Sequence, residues 1–318
     1  MGRDGTIAII GAGIAGAAAA RRLHDAGHRV VVLDKGRGPG GRMATRRGPD
    51  GLRFDHGAQF FTARDPRFAA CIEDWTARGV AAPWGGPHRS VGTPGMSAPA
   101  RDLLAGIDLS CGRAVGRLVR EGDGWRLEEA DGTALADGAA FSRVLLTCPS
   151  PQGLALLAGC GQDLPGLADV RYAPCWTLML SHDGPPPFAE PARQDDDPAA
   201  VFAWIARDGT KPGRDGGGTV VAHAAPAWSR ANLEDGADAA AERLVAALRA
   251  IVPLGTVRHA AAHRWRYAQV ERAVGAPCLF APATGLGYAG DGCLGPRVEF
   301  AYLSGLALAE HVLGRAEP

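Results

Sequence analysis

The sequence predicts an α/β fold in which a parallel sheet is interrupted by a second, antiparallel and strand-rich region. Three observations carry this reading. A strand, a glycine turn, a helix and a second strand fit into the first 34 residues; the texture changes to polar loops and short strands in the middle of the chain; and the chain closes on a strand, a glycine turn and a long helix.

Thr6–Ile10 is a short apolar run of the kind buried in a parallel sheet. Gly11-Ala12-Gly13-Ile14-Ala15-Gly16 follows, and an alanine-rich helix runs to about Ala26, where Gly27 stops it. Val30–Leu33 is a second apolar strand, closed by Asp34. Together these make a βαβ unit. Residues 36–51 are rich in Gly, Arg and Pro and read as a functional loop. Ser97–Ala105 is helical in pattern. Ala114–Arg120, Trp125–Ala130 and Arg143–Cys148 read as an antiparallel meander that returns to a buried strand before Pro149. Between Gly153 and Ala273 lie strand-like pieces at Thr177–Ser181, Val201–Ile205 and Thr219–Ala224. The same stretch holds one amphipathic helix, Ala237–Ala250, and polar loops at 183–198 and 211–218. Leu286–Ala289, the turn Gly290-Asp291-Gly292 and a helix over Arg297–Leu313 complete the chain. The expected division is one discontinuous domain over 1–65, 97–152 and 274–318, and a second over 66–96 and 153–273.

Composition narrows the partners. The 318 residues exceed a typical single domain, and 46% hydrophobic with 21% charged residues is ordinary for a globular protein with a core. Lysine plus arginine equals aspartate plus glutamate at 34 each, so no global field points to nucleic acid or an anionic membrane. The seven cysteines (71, 111, 148, 160, 175, 278, 293) are scattered without a C-x-x-C pair. That argues against a disulfide framework or a zinc site and suits a reducing cytoplasm, and no metal is expected. The first residues run directly into a strand and there is no 18-residue apolar run, so neither a signal peptide nor a membrane span is expected. Met1-Gly2 with Thr6 satisfies the bare myristoylation pattern and reads as coincidence.

The first chemical motif is the glycine turn. Gly11 permits a tight turn, Gly13 lets backbone approach a pyrophosphate, and Gly16 allows helix and strand to pack closely. The helix N-terminus then faces the phosphates. Asp34, at the end of the second strand, can accept from both hydroxyls of a ribose and disfavours a 2′-phosphate there. This unit suits NAD and FAD equally. The next segment, Asp34-Lys35-Gly36-Arg37-Gly38-Pro39-Gly40-Gly41-Arg42-Met43, resembles the acidic-residue, double-glycine, arginine signature of the FAD-dependent amine oxidase superfamily. The resemblance implies FAD as cofactor, with Gly40, Gly41 and Arg42 beside a phosphate; paired glycines let the backbone pass and Arg42 offers a forked donor. Arg46 and Arg47 read as ordinary surface charges. Gly290-Asp291 before the last helix matches the pair that meets the flavin side in this superfamily, and Asp291 also suits a helix N-cap.

Within that superfamily the chain is similar to bacterial renalases. The matching stretches are Phe54–Asp65 (FDHGAQFFTARD), Gly92–Ala98, Lys211–Asp215, Trp228-Ser229-Arg230 with Asn232-Leu233, His263–Ala268 and Asp291–Gly305. They run in order over nearly the whole chain. Two departures stand out: the segment between Trp84 and Gly92 is short, and Phe300 replaces a more usual glycine. The resemblance implies a glutathione-reductase/p-hydroxybenzoate-hydroxylase type of FAD-binding Rossmann-like domain, with an inserted antiparallel substrate domain. Beyond the glycines Gly11, Gly13, Gly16, Gly41 and Gly290, it places Ala15, Asp34, Lys35, Arg42, Gln59, Val115, Asp291 and Val298 on FAD. It places Phe60, Phe61, Thr62, Ala63, Arg64, Trp204 and Cys293 on the substrate side. Aromatic edges at Phe60, Phe61 and Trp204 would sandwich a flat heterocycle, and Arg64 would hold a phosphate or carboxylate.

The implied activity is that of a cytoplasmic oxidase with non-covalent FAD. It takes hydride from the 2- or 6-dihydro isomers of NAD(P)H and passes electrons to O2, giving β-NAD(P)+ and hydrogen peroxide. A dihydropyridine regains aromaticity on losing hydride, so no strong base is needed, and no catalytic side chain is assigned. His223 reads as a structural histidine at a strand end and Cys293 as a small packing cysteine rather than a thioether tether. No Ser–His–Asp arrangement or HExxH is present. The alternatives are an amine oxidase-like FAD enzyme for another small molecule and a non-catalytic interaction protein on the same fold.

Overall fold

The computed structural model describes residues 5–214 and 218–315; Gly2 of the N-terminal pattern and Asp215 of the Lys211–Asp215 stretch lie outside them. The chain forms two compact units. One comprises Met1–Gly41, Pro99–Arg171 and Val270–Pro318; the other comprises Arg42–Ala98 and Tyr172–Gln269.

The first unit is built on a six-stranded sheet in the order Leu279–Ala281, Leu286–Tyr288, Arg143–Leu146, Ile7–Ile10, Val30–Asp34, Asp108–Cys111. Every neighbouring pair is parallel except the first, which is antiparallel. Ile7–Ile10 and Val30–Leu33 are wholly apolar and buried because a parallel strand is covered on both faces. Helix Ile14–Asp25 packs against helix Val298–Val312, closely enough that a methyl group built on Gly305 would lie 2.1 Å from the Ala15 carbonyl oxygen. A continuous core joins strand residues Ile10, Leu33 and Leu146 to Trp125, Phe141, Leu157 and Tyr288. Each such side chain contributes about 1.5–3 kcal/mol on burial.

The second unit holds a five-stranded sheet in the order Ala192–Gln194, Phe202–Arg207, Thr219–Ala224, Arg171–His182, Val257–Arg272. The assigned pairs along Ala192–Gln194, Phe202–Arg207, Thr219–Ala224 and Arg171–His182 are all antiparallel. Helix Ala237–Ile251 buries Ala240, Ala241, Leu244 and Leu248 in the core of this unit, beside Trp176, Leu178 and Val220. The spacing of those four residues is the apolar stripe of an amphipathic helix.

Four features differ from the expectations. Arg143–Leu146 does not close a meander; its apolar residues place it inside the parallel sheet, between Ile7–Ile10 and Leu286–Tyr288. Only Arg117–Glu121 and Gly124–Glu128 pair as a hairpin there. Residues 42–65 join the second unit, because a hairpin of Thr45–Arg47 and Arg53–Asp55 inserts Phe54 against Met179 and Val221. Residues 153–171 join the first, because helix Ser150–Gly159 and the turn after it bury Leu156, Leu157, Leu164 and Leu167 in its core. The short strand Asp108–Cys111 and the long strand Val257–Arg272 are additions to the expected elements.

Candidate functional site

In the first unit, the strand order reverses at Ile7–Ile10, which continues to Val30–Asp34 on one side and has Arg143–Leu146 on the other. Ligands of open α/β sheets bind at the carboxyl ends of strands at such a switch point. The glycine turn sits there. Gly11 has φ +115°, and a methyl on it would meet the Thr147 hydroxyl at 2.7 Å. A methyl on Gly16 would lie 2.0 Å from the Gly11 carbonyl oxygen, so that glycine is required by helix-on-turn packing. Gly13 differs: its chain neighbours aside, nothing among the described residues lies within 4 Å of a methyl there. Its glycine serves no packing within the chain and leaves the backbone open to a ligand. Gly13 is also the N-cap of helix Ile14–Asp25, which has no side-chain cap and no acidic residue in its first turn. The positive end of the helix is left for an anion.

Asp34 completes this cradle. Its carboxylate accepts the Ala12 N–H at 2.6 Å and the Gly36 N–H at 2.6 Å, one on each oxygen. A carboxylate has about four acceptor positions, so one remains on each oxygen for ribose hydroxyls. Gly41 has φ +54° and approaches the Gly13 Cα, while Gly40 donates to the Ala12 carbonyl at 2.8 Å. The double glycine is therefore folded back onto the phosphate turn. Lys35 is exposed at its rim. Val115 follows a turn whose Gly112 and Arg113 N–H groups bond the carbonyls of Gly36 and Asp34, which brings it beside the same strand end. Gly290 and Asp291 leave the carboxyl end of Leu286–Tyr288, and Ser304 accepts the Gly290 N–H at 3.0 Å. Val298 opens the last helix. Ala15 is buried under Gly305.

Cys293 does not face a ligand space. It is 0% exposed within the core of the first unit, and burial pushes its thiol up to about 11. A small buried thiol beside Tyr288 packs as a hydrophobe.

In the second unit, Arg42 directs Nη1 to the carbonyls of Tyr267 and Ala268 at 3.4 Å and lies over the Tyr172 ring. Gln59 is buried in an ionic cluster not anticipated from the sequence. Lys211 places Nζ 2.6 Å from Asp208, 3.2 Å from Asp55 and 3.1 Å from the Gln59 side-chain oxygen, with the Trp84 ring 5.1 Å away. Arg214 pairs with Asp55 and donates to the Gly92 and Pro212 carbonyls at 2.6 and 2.7 Å. Asp55 also accepts from Thr45 and the Met96 N–H. Burial pushes the Asp55 carboxyl up, but Lys211 and Arg214 outweigh it and hold it below its ordinary range; burial raises that of Asp208. The signal was present in Phe54–Asp65 and Lys211–Asp215, both singled out as matching stretches. Reading 211–218 as a polar loop hid the burial of Lys211.

Gln59 reaches the Asp55 and Gly57 carbonyls through Nε2, which also stands 3.3 Å from Nε2 of His223. Burial, then the Lys211 charge, lowers His223 to about 4. His56 is brought to about 3 by burial, His263 and Arg46, and His263 to about 4 by burial and Arg46. All three are neutral at pH 7. Phe60 and Trp204 come together with ring centroids 5.5 Å apart. Phe61 does not join them: it is 2% exposed and packs edge-on against Phe68 and Trp75. Thr62 and Ala63 are half-buried and Arg64 is exposed.

Residues 9–75 match the family model described as an NAD(P)-binding Rossmann-like domain. Over 97% of this chain and 98% of its own, a putative protoporphyrinogen oxidase from Exiguobacterium sp. 255-15 superimposes with a TM-score of 0.75 at 14% identity. Cyclohexylamine oxidase from Brevibacterium oxydans IH-35A does so over 98% and 100% with a TM-score of 0.66, also at 14% identity. The fold is the one these two oxidases share, a Rossmann-like α/β domain together with an antiparallel sheet. Among the described residues no helix is long and apolar enough to cross a membrane.

Proposed function

We propose that the protein is an FAD-dependent oxidase of the renalase type, acting on the 2- and 6-dihydro isomers of NAD(P)H. The carrying observation is the Phe60–Trp204 ring pair in a unit whose histidines at 56, 223 and 263 are held neutral and whose buried carboxylates are ion-paired. Such a site suits a flat ring whose oxidation needs no proton abstraction.

Bound FAD supplies the redox chemistry, so that dihydro-NAD(P), O2 and a proton yield β-NAD(P)+ and hydrogen peroxide. The protein's part is binding and orientation. Gly11, Gly13 and the start of helix Ile14–Asp25 would hold the pyrophosphate, and Asp34 the ribose hydroxyls. Lys35, Gly41, Val115, Gly290, Asp291 and Val298 line the same strand ends or follow them, and the renalase resemblance adds Arg42 and Gln59 to the cofactor's contacts. With Cys293 packed in the core, FAD would be held without a thioether to that residue. Phe60 and Trp204 would stack on the nicotinamide ring and fix its orientation.

The test is anaerobic mixing of the purified flavoprotein with 2- and 6-dihydronicotinamide dinucleotides, ordinary NADH and simple amines. The isomers are expected to bleach the band near 450 nm rapidly, and the others slowly. Rapid bleaching by an amine but by neither isomer would defeat the renalase assignment. A protein that stays colourless after FAD is added would defeat the flavoenzyme reading as a whole.

A further inference from the structure

Arg89 is a half-buried cation set on two aromatic rings. Its Cζ stands 4.5 Å from the Phe60 centroid and 5.5 Å from that of Trp204. Among the described residues its side chain makes one hydrogen bond, a long one of 3.4 Å from Nη1 to the Gly85 carbonyl, and no ion pair. A guanidinium held over aromatic rings still carries five N–H donors, in the fork that matches oxyanions. Other cations of this unit are differently placed: Lys211 and Arg214 are spent on Asp55 and Asp208. Trp204 adds a second donor, because its indole N–H is buried and has no acceptor among the described residues. Buried donors are ordinarily satisfied, so the Trp204 N–H calls for an acceptor that a ligand can bring.

We propose that Arg89, with the Trp204 indole N–H, binds a phosphate-type oxyanion carried by the substrate and so selects phosphorylated nicotinamide compounds over unphosphorylated ones. The identity of the ring rests on the renalase-type reading above; the oxyanion follows from the donors. Trp204 thereby serves twice, by its ring face and by its N–H. The short segment between Trp84 and Gly92 is what carries Arg89, on the hairpin of Ala81–Pro83 and Ser90–Gly92, whose end at Ser90 bonds Phe61.

The test uses the oxidised, FAD-loaded protein and two ligands that differ by one phosphate, nicotinamide mononucleotide and nicotinamide riboside, titrated by calorimetry. The wild type is expected to prefer the mononucleotide by roughly tenfold or more, as charge-assisted bonds to phosphate would give. Arg89→Met should abolish that preference while changing riboside affinity less than about twofold. Arg89→Lys should retain part of it, and Trp204→Phe, which keeps a ring without the N–H, should lose part. Circular dichroism verifies that each variant is folded.

Three results would overturn the proposal. One is a wild type without preference. Another is equal weakening of both ligands in Arg89→Met, which would make the guanidinium a packing group for the rings. The third is a preference that survives in Arg89→Met and disappears in Arg64→Met. Because the ligands are oxidised, the outcome does not depend on whether dihydro isomers reduce the flavin.

Discussion

Replacing Lys211 by Met isolates what the buried ionic cluster does. Lys211 and both of its carboxylate partners have side chains 0% exposed, so water screens none of these charges. Methionine keeps most of the length of the side chain and removes the cation. Asp55 retains Arg214, but Asp208 loses its counter-ion at 2.6 Å. Breaking a buried pair from one side costs about 3–5 kcal/mol. With about 2–4 °C lost per kcal/mol in a domain of this size, the melting temperature should fall by roughly 6–20 °C. The sign with pH follows from Asp208. Its carboxyl is raised in the folded protein, and removing Lys211 raises it further. The stability of a group so raised is fully present below its unfolded value and is lost as pH rises through the folded one. The deficit of Lys211→Met should therefore be smaller at pH 5 than at pH 8, and Lys211→Met/Asp208→Asn should recover much of it at pH 8. Differential scanning fluorimetry across pH reads all three quantities. A melting temperature within about 2 °C of wild type, or a deficit independent of pH, would refute the reasoning.

The glycine turn separates packing from binding. Gly13→Ala should leave the melting temperature of the flavin-free protein within about 2 °C while weakening FAD binding at least tenfold, as judged by flavin fluorescence released on dilution. Gly16→Ala, whose methyl would fall 2.0 Å from the Gly11 carbonyl oxygen, should destabilise the fold itself by several degrees. His56, His223 and His263 have folded values of about 3, 4 and 4 against an ordinary 6.5. The unfolded chain then binds more protons, so stability should fall as pH drops from about 6.5 toward 4, and His223→Asn should flatten that fall. Cys293, buried and pushed up to about 11, should resist Ellman's reagent in the native protein. Acid precipitation should leave all the yellow colour in the supernatant; colour remaining in the pellet would show a covalent tether.

The nucleotide cradle was legible because its determinants are local. Strand, turn, helix and Asp34 lie within one short stretch, where each residue type has a distinct physical reason to be present. The ionic cluster was not, because its members meet only through the fold: Asp55 and Lys211 are 156 positions apart. Charge in a Gly/Pro/Asp-rich loop reads as solvated unless its partner is known. Phe60 and Phe61 show another limit. They are chemically alike and adjacent, yet one stacks with Trp204 and the other enters the Phe68–Trp75 cluster, because neighbouring residues in extended backbone point to opposite faces. Most of the strand Val257–Arg272 was hidden by its own side chains, with only Trp265 and Tyr267 alternating as a strand would. It ends the sheet order and is mostly half-exposed, so polar and charged residues replace the apolar run that marks a central strand.

The contact between the first and last helices has a consequence in time. Arg22 and Glu310, which pair at 2.6 Å between them, are 288 positions apart. At about 5–20 residues per second, a ribosome needs roughly a quarter of a minute to a minute to span that distance. Throughout that interval the helix Ile14–Asp25 waits with its partner unmade. Its waiting face is chiefly alanine at 15 and 17–20, the smallest apolar surface a helix can offer to a passing chain. A helix richer in leucine would bury more against the last helix, but would be a stickier nascent surface. The alanines that let Gly305 approach closely also make the long wait safer.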